Sequence, residues 1–164
     1  SKDKLMGMVQ SQKQGDDVYQ IGCLGKISDY QKSKDGRVLI NLTGISRFRI
    51  LEEVYNDKLY REFKVDYKDF NEDMADINNE INTKSLIDNA KNFFKKNGLL
   101  LNWGEFEKLD QSQKINTLAM IAPITNEEKQ KLLEALSLND KVETLESIIS
   151  FYLHEADFNN QTIQ

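Results

Sequence analysis

Val38-Leu39-Ile40-Asn41-Leu42-Thr43-Gly44-Ile45-Ser46-Arg47-Phe48-Arg49-Ile50 has a hydrophobic period of two. Val38, Ile40 and Leu42 share one face, and Gly44, Ser46, Phe48 and Ile50 continue it, while Arg47 and Arg49 point the other way. A strand with one core face and one wet face is the expectation, which makes the surrounding chain a search for its neighbours.

Those neighbours are legible on both sides. Leu5 to Gln10 is a short apolar run, and Val18 to Tyr30 is a longer one carrying Val18, Tyr19, Ile21, Leu24, Ile27 and Tyr30. Gly22 and Gly25 fall inside it, and glycine within a strand pattern marks a bulge or bend, as in a small curled barrel. Lys34-Asp35-Gly36 is a hairpin-turn signal. Phe63, Val65 and Tyr67 alternate over Tyr60 to Tyr67, which predicts a fourth or fifth strand before the polar stretch from Lys68 to Asp76.

The period then changes. Ile77, Ile81, Ile87, Ala90, Phe93 and Phe94 recur near helical spacing, with Asn97-Gly98 as a stop, and predict a helix of about 20 residues. Three pairs of a capping side chain and Glu or Gln three positions on predict three further helices: Asp110 with Gln113, Thr125 with Glu128, and Asp140 with Glu143. Pro123 ends the first of these around Met120 to Ala122. Val142, Leu145, Ile148, Ile149, Tyr152 and Leu153 form the apolar stripe of the last. The expected fold is α+β, with a β subdomain over 1–70 and a helical subdomain over 71–164.

Composition narrows the function classes. With 164 residues, 39% hydrophobic and 30% charged, the chain can bury a core. A net charge of -5 opposes a general grip on phosphate backbones. One cysteine, Cys23, excludes an internal disulfide, and one Cys with one His excludes the usual structural zinc sites. Neither a membrane-spanning run nor a signal peptide is legible, so a cytoplasmic location is expected. The Ser1 start directly ahead of a strand-like run reads as a piece of a longer product.

Catalytic chemistry is hard to find. Gly25-Lys26 is followed by Ile27 and lacks the hydroxyl of a phosphate-binding loop. His154 follows an apolar helical stripe and reads as a surface or interface residue. Cys23, between Ile21 and Leu24, reads as a small packed hydrophobe. Glu127 and Glu128 suit the first turn of a helix. Asp16-Asp17 and Asp73-x-x-Asp76 lack the glycine and terminal glutamate of a calcium loop. Arg47 and Arg49 flank Phe48, but alternation puts the ring on the opposite face, which weakens a base-stacking platform. No catalytic residue, cofactor or metal is expected.

Several segments together carry a resemblance. The first half contains Gly7-Met8-Val9-Gln10, then Tyr19-Gln20-Ile21-Gly22-Cys23-Leu24-Gly25-Lys26-Ile27, then Asp35-Gly36-Arg37, and finally Leu42-Thr43-Gly44-Ile45-Ser46-Arg47-Phe48-Arg49-Ile50-Leu51-Glu52-Glu53 with Tyr60-Arg61. The second half adds Asn116-Thr117-Leu118-Ala119-Met120, Pro123, Glu128-Lys129-Gln130-Lys131-Leu132-Leu133-Glu134 and Thr144-Leu145. In order and spacing these resemble the N-terminal, substrate-binding domain of Lon proteases across nearly the whole chain.

The resemblance implies a PUA-like β pseudobarrel followed by a helical subdomain. It also implies a free-standing, non-catalytic module of protein quality control whose partner is unfolded polypeptide or another protein, with a homo-oligomer as an option and neither membrane nor nucleic acid engaged. The alternative is a PUA-like domain that binds RNA or a small ligand. The family's opening strand would precede Lys4, so an unpaired sheet edge is expected there. Arg47, Phe48, Tyr60 and Arg61 are the candidate polypeptide-binding residues at that edge, with the arginines reaching carboxylates or carbonyls of a guest.

Overall fold

Gly36, at φ +86°, closes a three-residue hairpin loop over Lys34-Asp35-Gly36, and the Ser33 N–H donates to the Arg37 carbonyl at 2.8 Å. A left-handed residue at this position costs glycine nothing, which is why the Asp-Gly pair forms the turn. From this turn the sheet unfolds in chain order. The computed structural model describes residues 3–13, 15–74 and 81–161. Its strands are β1 (Leu5–Met8), β2 (Ile21–Lys32), β3 (Val38–Val54) and β4 (Glu62–Asp66), in one antiparallel sheet of order β1-β2-β3-β4. A 3-10 segment, Lys68–Met74, follows β4.

β2 and β3 are long because bulges let them bend. The pairing register slips between Leu24 and Gly25, leaving Ile45 as an extra residue on β3, and again between Ile27 and Asp29, leaving Ser28 extra on β2. Beyond these bulges the β2–β3 hairpin extends away from the core. Expected alternation is therefore realised over only part of β3: Phe48 and Ile50 are buried, whereas Val38 and Leu42, expected on the same face, are exposed. The buried hydrophobic residues of this half, among those described, are Ile21, Phe48, Ile50 and Phe70. Phe48 lies over Gly22, its direct partner in the ladder, and meets Tyr67 edge to face at 6.4 Å.

The chain divides into two compact units, 1–77 and 78–164. The second holds α1 (Lys84–Lys96), a short α2 (Trp103–Phe106), α3 (Gln111–Ile121), α4 (Asn126–Glu134) and α5 (Leu138–Gln161). Leu86, Ala90, Phe93 and Phe94 of α1 pack with Ile115, Leu118, Leu132, Val142, Leu145 and Ile149 in its core.

Asp110 with Gln113 and Thr125 with Glu128 form the expected reciprocal capping boxes. α3 stops at Ile121 ahead of Pro123, as expected. Gly98 at φ +68° ends α1, with the Leu99 N–H reaching the Phe94 carbonyl at 2.9 Å.

Two expectations about the helices are corrected, and one helix is added. α1 starts at Lys84 rather than Ile77, and residues 77–80 lie outside the described structure. Local side chains satisfy the backbone ahead of it: Gln111 accepts the Ile81 N–H and donates to the Ile81 carbonyl, and Asn82 accepts the Lys84 N–H. The last helix starts at Leu138, not after Asp140. Ser137 is the capping residue: its Oγ accepts the Asp140 N–H while Asp140 accepts the Ser137 N–H, both at 3.1 Å. α2 went unforeseen, although Asn102-x-x-Glu105 marks its start, Asn102 Oδ1 accepting the Glu105 N–H.

Candidate functional site

The connection between β3 and β4 is a short loop tied together by its own polar side chains. Asn56 Oδ1 accepts the Lys58 N–H at 2.7 Å, mimicking a backbone turn. Asn56 Nδ2 donates to the Val54 carbonyl at 3.1 Å and to Glu62 Oε2 at 3.0 Å, and the Lys58 ammonium pairs with the same carboxylate group. With the polar groups turned inward on each other, the apolar ones are left outside. Tyr55 is 90% exposed, Tyr60 62%, and Leu59 wholly so.

Arg61 anchors this loop to the rest of the sheet. Its fork meets Glu53 bidentately, Nε to Oε1 and Nη2 to Oε2, each at 2.6 Å, and Nη1 donates to the Asp16 carbonyl at 2.5 Å. The guanidinium also lies 5.1 Å from the Phe63 ring centre. The side-chain hydrogen bond from Arg61 holds the Glu53 carboxyl below its ordinary value, and the same bond raises Arg61. Lys58 is raised by its hydrogen bond to Glu62. Residues Glu53 to Asn56 and Lys58 to Arg61 line an open concavity of about 270 Å³.

The four residues singled out in sequence are placed in two environments. Tyr60 and Arg61 lie at this loop. Phe48 is 4% exposed in the core, and Arg47, 9% exposed, is bound to Asp73 with its guanidinium 4.4 Å from the Phe70 ring centre. Leu59 and Tyr55 were not recognised, because an apolar residue in a loop gives no periodic signal.

Elsewhere, His154 is exposed on α5, Cys23 is half-buried on β2, and Glu128 is engaged in its capping box and by the Tyr152 hydroxyl at 2.9 Å. Among the described residues no group of three or more His, Cys, Asp or Glu side chains is disposed to hold a metal ion, and no helix is long and apolar enough to cross a membrane.

Residues 1–150 match the family model of the ATP-dependent protease La (LON) substrate-binding domain. The chain belongs to that family. A curated relative, the Lon protease of Bacillus thuringiensis (strain Al Hakam), is 24% identical over 138 residues, which cover 82% of this chain and 17% of the relative. The chain thus corresponds to under a fifth of that Lon protease.

Two solved structures share the fold of this Lon substrate-binding domain. The N-terminal domain of a Mycobacterium avium complex Lon protease aligns with a TM-score of 0.55 at 14% identity, covering 88% of this chain and 77% of that one. The Lon N-terminal domain protein from Xanthomonas campestris aligns with a TM-score of 0.55 at 16% identity, covering 90% and 89%. An antiparallel sheet followed by helices is therefore the family architecture as well as the one read from the residues.

Proposed function

We propose that this Lon substrate-binding domain is a non-catalytic module that binds unfolded polypeptide in protein quality control, using the β3–β4 loop. The observation that carries the reading is an ordered loop with three large apolar side chains, Tyr55, Leu59 and Tyr60, held out into water. Exposed apolar groups on a rigid, polar-stapled frame contribute to association without a large ordering cost. Arg61, already bound to Glu53, keeps the frame in place and offers its remaining edge to a guest carbonyl. Arg47 and Phe48 support the strand beneath. RNA binding is disfavoured because the cations here, Lys58 and Arg61, are neutralised by Glu62 and Glu53. The half-buried, single Cys23 is in keeping with a cytoplasmic setting.

The test compares binding of a reduced, carboxymethylated protein with thermal stability in the wild-type chain and a Leu59→Ser, Tyr60→Ser double variant. Loss of two exposed contact residues is expected to weaken binding about tenfold and to leave the melting temperature within about 2 °C. Unchanged binding in the folded variant overturns the loop assignment. ATP hydrolysis or casein cleavage dependent on a residue of this chain would overturn the non-catalytic reading.

A further inference from the structure

The outer edge of β3 has no strand beside it over Val38–Gly44 among the described residues. β3 pairs with β2 from Val38 onward, but β4 meets it only from Arg49 to Val54. Because Ser33 and Arg37 form a hydrogen-bonded pair, the alternation of an antiparallel ladder makes Lys32–Val38 and Tyr30–Ile40 non-hydrogen-bonded pairs. The N–H and C=O groups of Val38 and Ile40 therefore turn away from β2, and Leu42 follows in the same sense because β3 carries no extra residue before Ile45.

Natural sheets blunt such edges with charge, proline or a bulge. Within Val38-Leu39-Ile40-Asn41-Leu42-Thr43-Gly44 there is no charge, proline or extra residue, and the Ile45 bulge and the charges of β3 come only after it. The other free edges differ: β4 carries Glu62, Lys64 and Asp66 at alternate positions, β1 is only four residues long, and β2 beyond its pairing with β1 carries the Ser28 bulge, Asp29 and Lys32. Leu39 and Val38 are 66% and 54% exposed, so side chains do not close the β3 edge either.

The end of the hairpin adds a charge signature. In a chain of net charge -5, residues 26–37 place Lys26, Lys32, Lys34 and Arg37 against only Asp29 and Asp35. Asp35 is bound to Arg37, which leaves Lys32 and Lys34 without an acidic partner among the described residues.

We propose that the Val38–Gly44 edge of β3 receives an extended, uncharged segment of a guest polypeptide as an added antiparallel strand, with acidic residues at the guest's C-terminal end beside Lys32 and Lys34. The inference rests on the polypeptide-binding reading above and names a second contact and its guest class. Backbone pairing would supply recognition that tolerates many sequences, and the lysines would set direction.

The experiment uses labelled peptides with a seven-residue alternating Val/Thr core. One ends in two glutamates, one begins with them, and two copies of the first carry N-methyl groups on opposite alternate sets of core residues. Binding of the first is expected to be about fivefold tighter than the second and to weaken with salt. One methylated set abolishes binding while the other retains it, since only alternate N–H groups face the edge. Ile40→Pro, which removes an outward N–H, and Val38→Lys are expected to lose the peptide while circular dichroism stays native.

Equal binding of both methylated peptides, or retention by folded Ile40→Pro, overturns the proposal. A dimer dissolved by Ile40→Pro with no peptide bound overturns it in favour of a second copy. Capture of carboxymethylated protein that survives Ile40→Pro but not the Leu59, Tyr60 double change refutes the edge alone. Failure of the wild-type chain to capture unfolded protein refutes the broader reading, while the peptides still judge the edge.

Discussion

Asp73 binds Arg47 through both backbone and side chain: its carboxylate accepts the Arg47 N–H at 2.8 Å, Nε at 2.9 Å and Nη2 at 2.7 Å. The pair is largely shielded, with side-chain exposures of 10% and 20%, and Phe70 lies against the guanidinium. It fastens the 3-10 segment after β4 to the middle of β3. Removing one partner leaves the other charge buried, so Asp73→Ala is expected to cost about 3 kcal/mol. Arg61→Ala, at an exposed and solvent-screened pair, is expected to cost clearly less. Urea unfolding of the two variants checks the order; equal losses would mean that burial does not separate the two arginines.

Gly22 is required by packing. A Cβ there would stand 2.6 Å from the Phe48 ring and from Val9 Cγ1, and 2.7 Å from the Met8 carbonyl oxygen. Backbone cannot swing aside as a flexible side chain can, so Gly22→Ala is expected to destabilise the β unit by about 1–3 kcal/mol. At Gly7 the nearest atom would be 3.3 Å away on the Phe48 ring, and Gly7→Ala should cost less. Denaturation midpoints that put Gly7→Ala lower than Gly22→Ala would contradict this geometry.

The β3–β4 loop is expected to lose its anchor at acid pH. The Glu53 carboxyl is held below its ordinary 4.5 by the Arg61 hydrogen bond, so the contribution of this pair is present above 4.5 and fades as pH falls through the lower, folded value. Lys58 has the opposite sign: raised above 10.5 by Glu62, its contribution is present below 10.5 and is lost as pH climbs past the raised value. The Arg61 Nε–H resonance, followed from pH 7 to 3, should shift and exchange faster, and Glu53→Gln should remove that titration. A resonance indifferent to acid in the wild-type chain would show that Glu53 does not hold it.

Helix α5 gives a test of which residue caps it. Ser137→Ala removes the acceptor for the Asp140 N–H and is expected to cost about 1 kcal/mol. Glu143→Ala should be nearly neutral, because Glu143 is already a full turn inside the helix that begins at Leu138. A larger thermal shift from Glu143→Ala would restore Asp140 as the cap.

The composition of the exposed loop was legible in the sequence only in part. Tyr60 and Arg61 were singled out because they end a recognisable segment, and they do lie at the exposed loop. Arg47 and Phe48 carried the same kind of signal and are buried, since an arginine in a wet alternating position looks alike in sequence whether or not an aspartate 26 residues later reaches it. Leu59 and Tyr55 had no signal at all. Their exposure follows from Asn56, Lys58 and Glu62 satisfying one another.

By itself, the sequence determined the order of strands then helices, the turn at Asp35-Gly36, the capping boxes at Asp110 and Thr125, and the stop before Pro123. These depend on period, on left-handed backbone and on bonds spanning three residues, all of which are local. Only tertiary structure decided how far the alternation of β3 is buried, which arginine is locked, and that β4 stops short of Val38–Gly44. Those outcomes depend on bulges and partners far along the chain, and a period of two is the same whether a strand's neighbour is present or not.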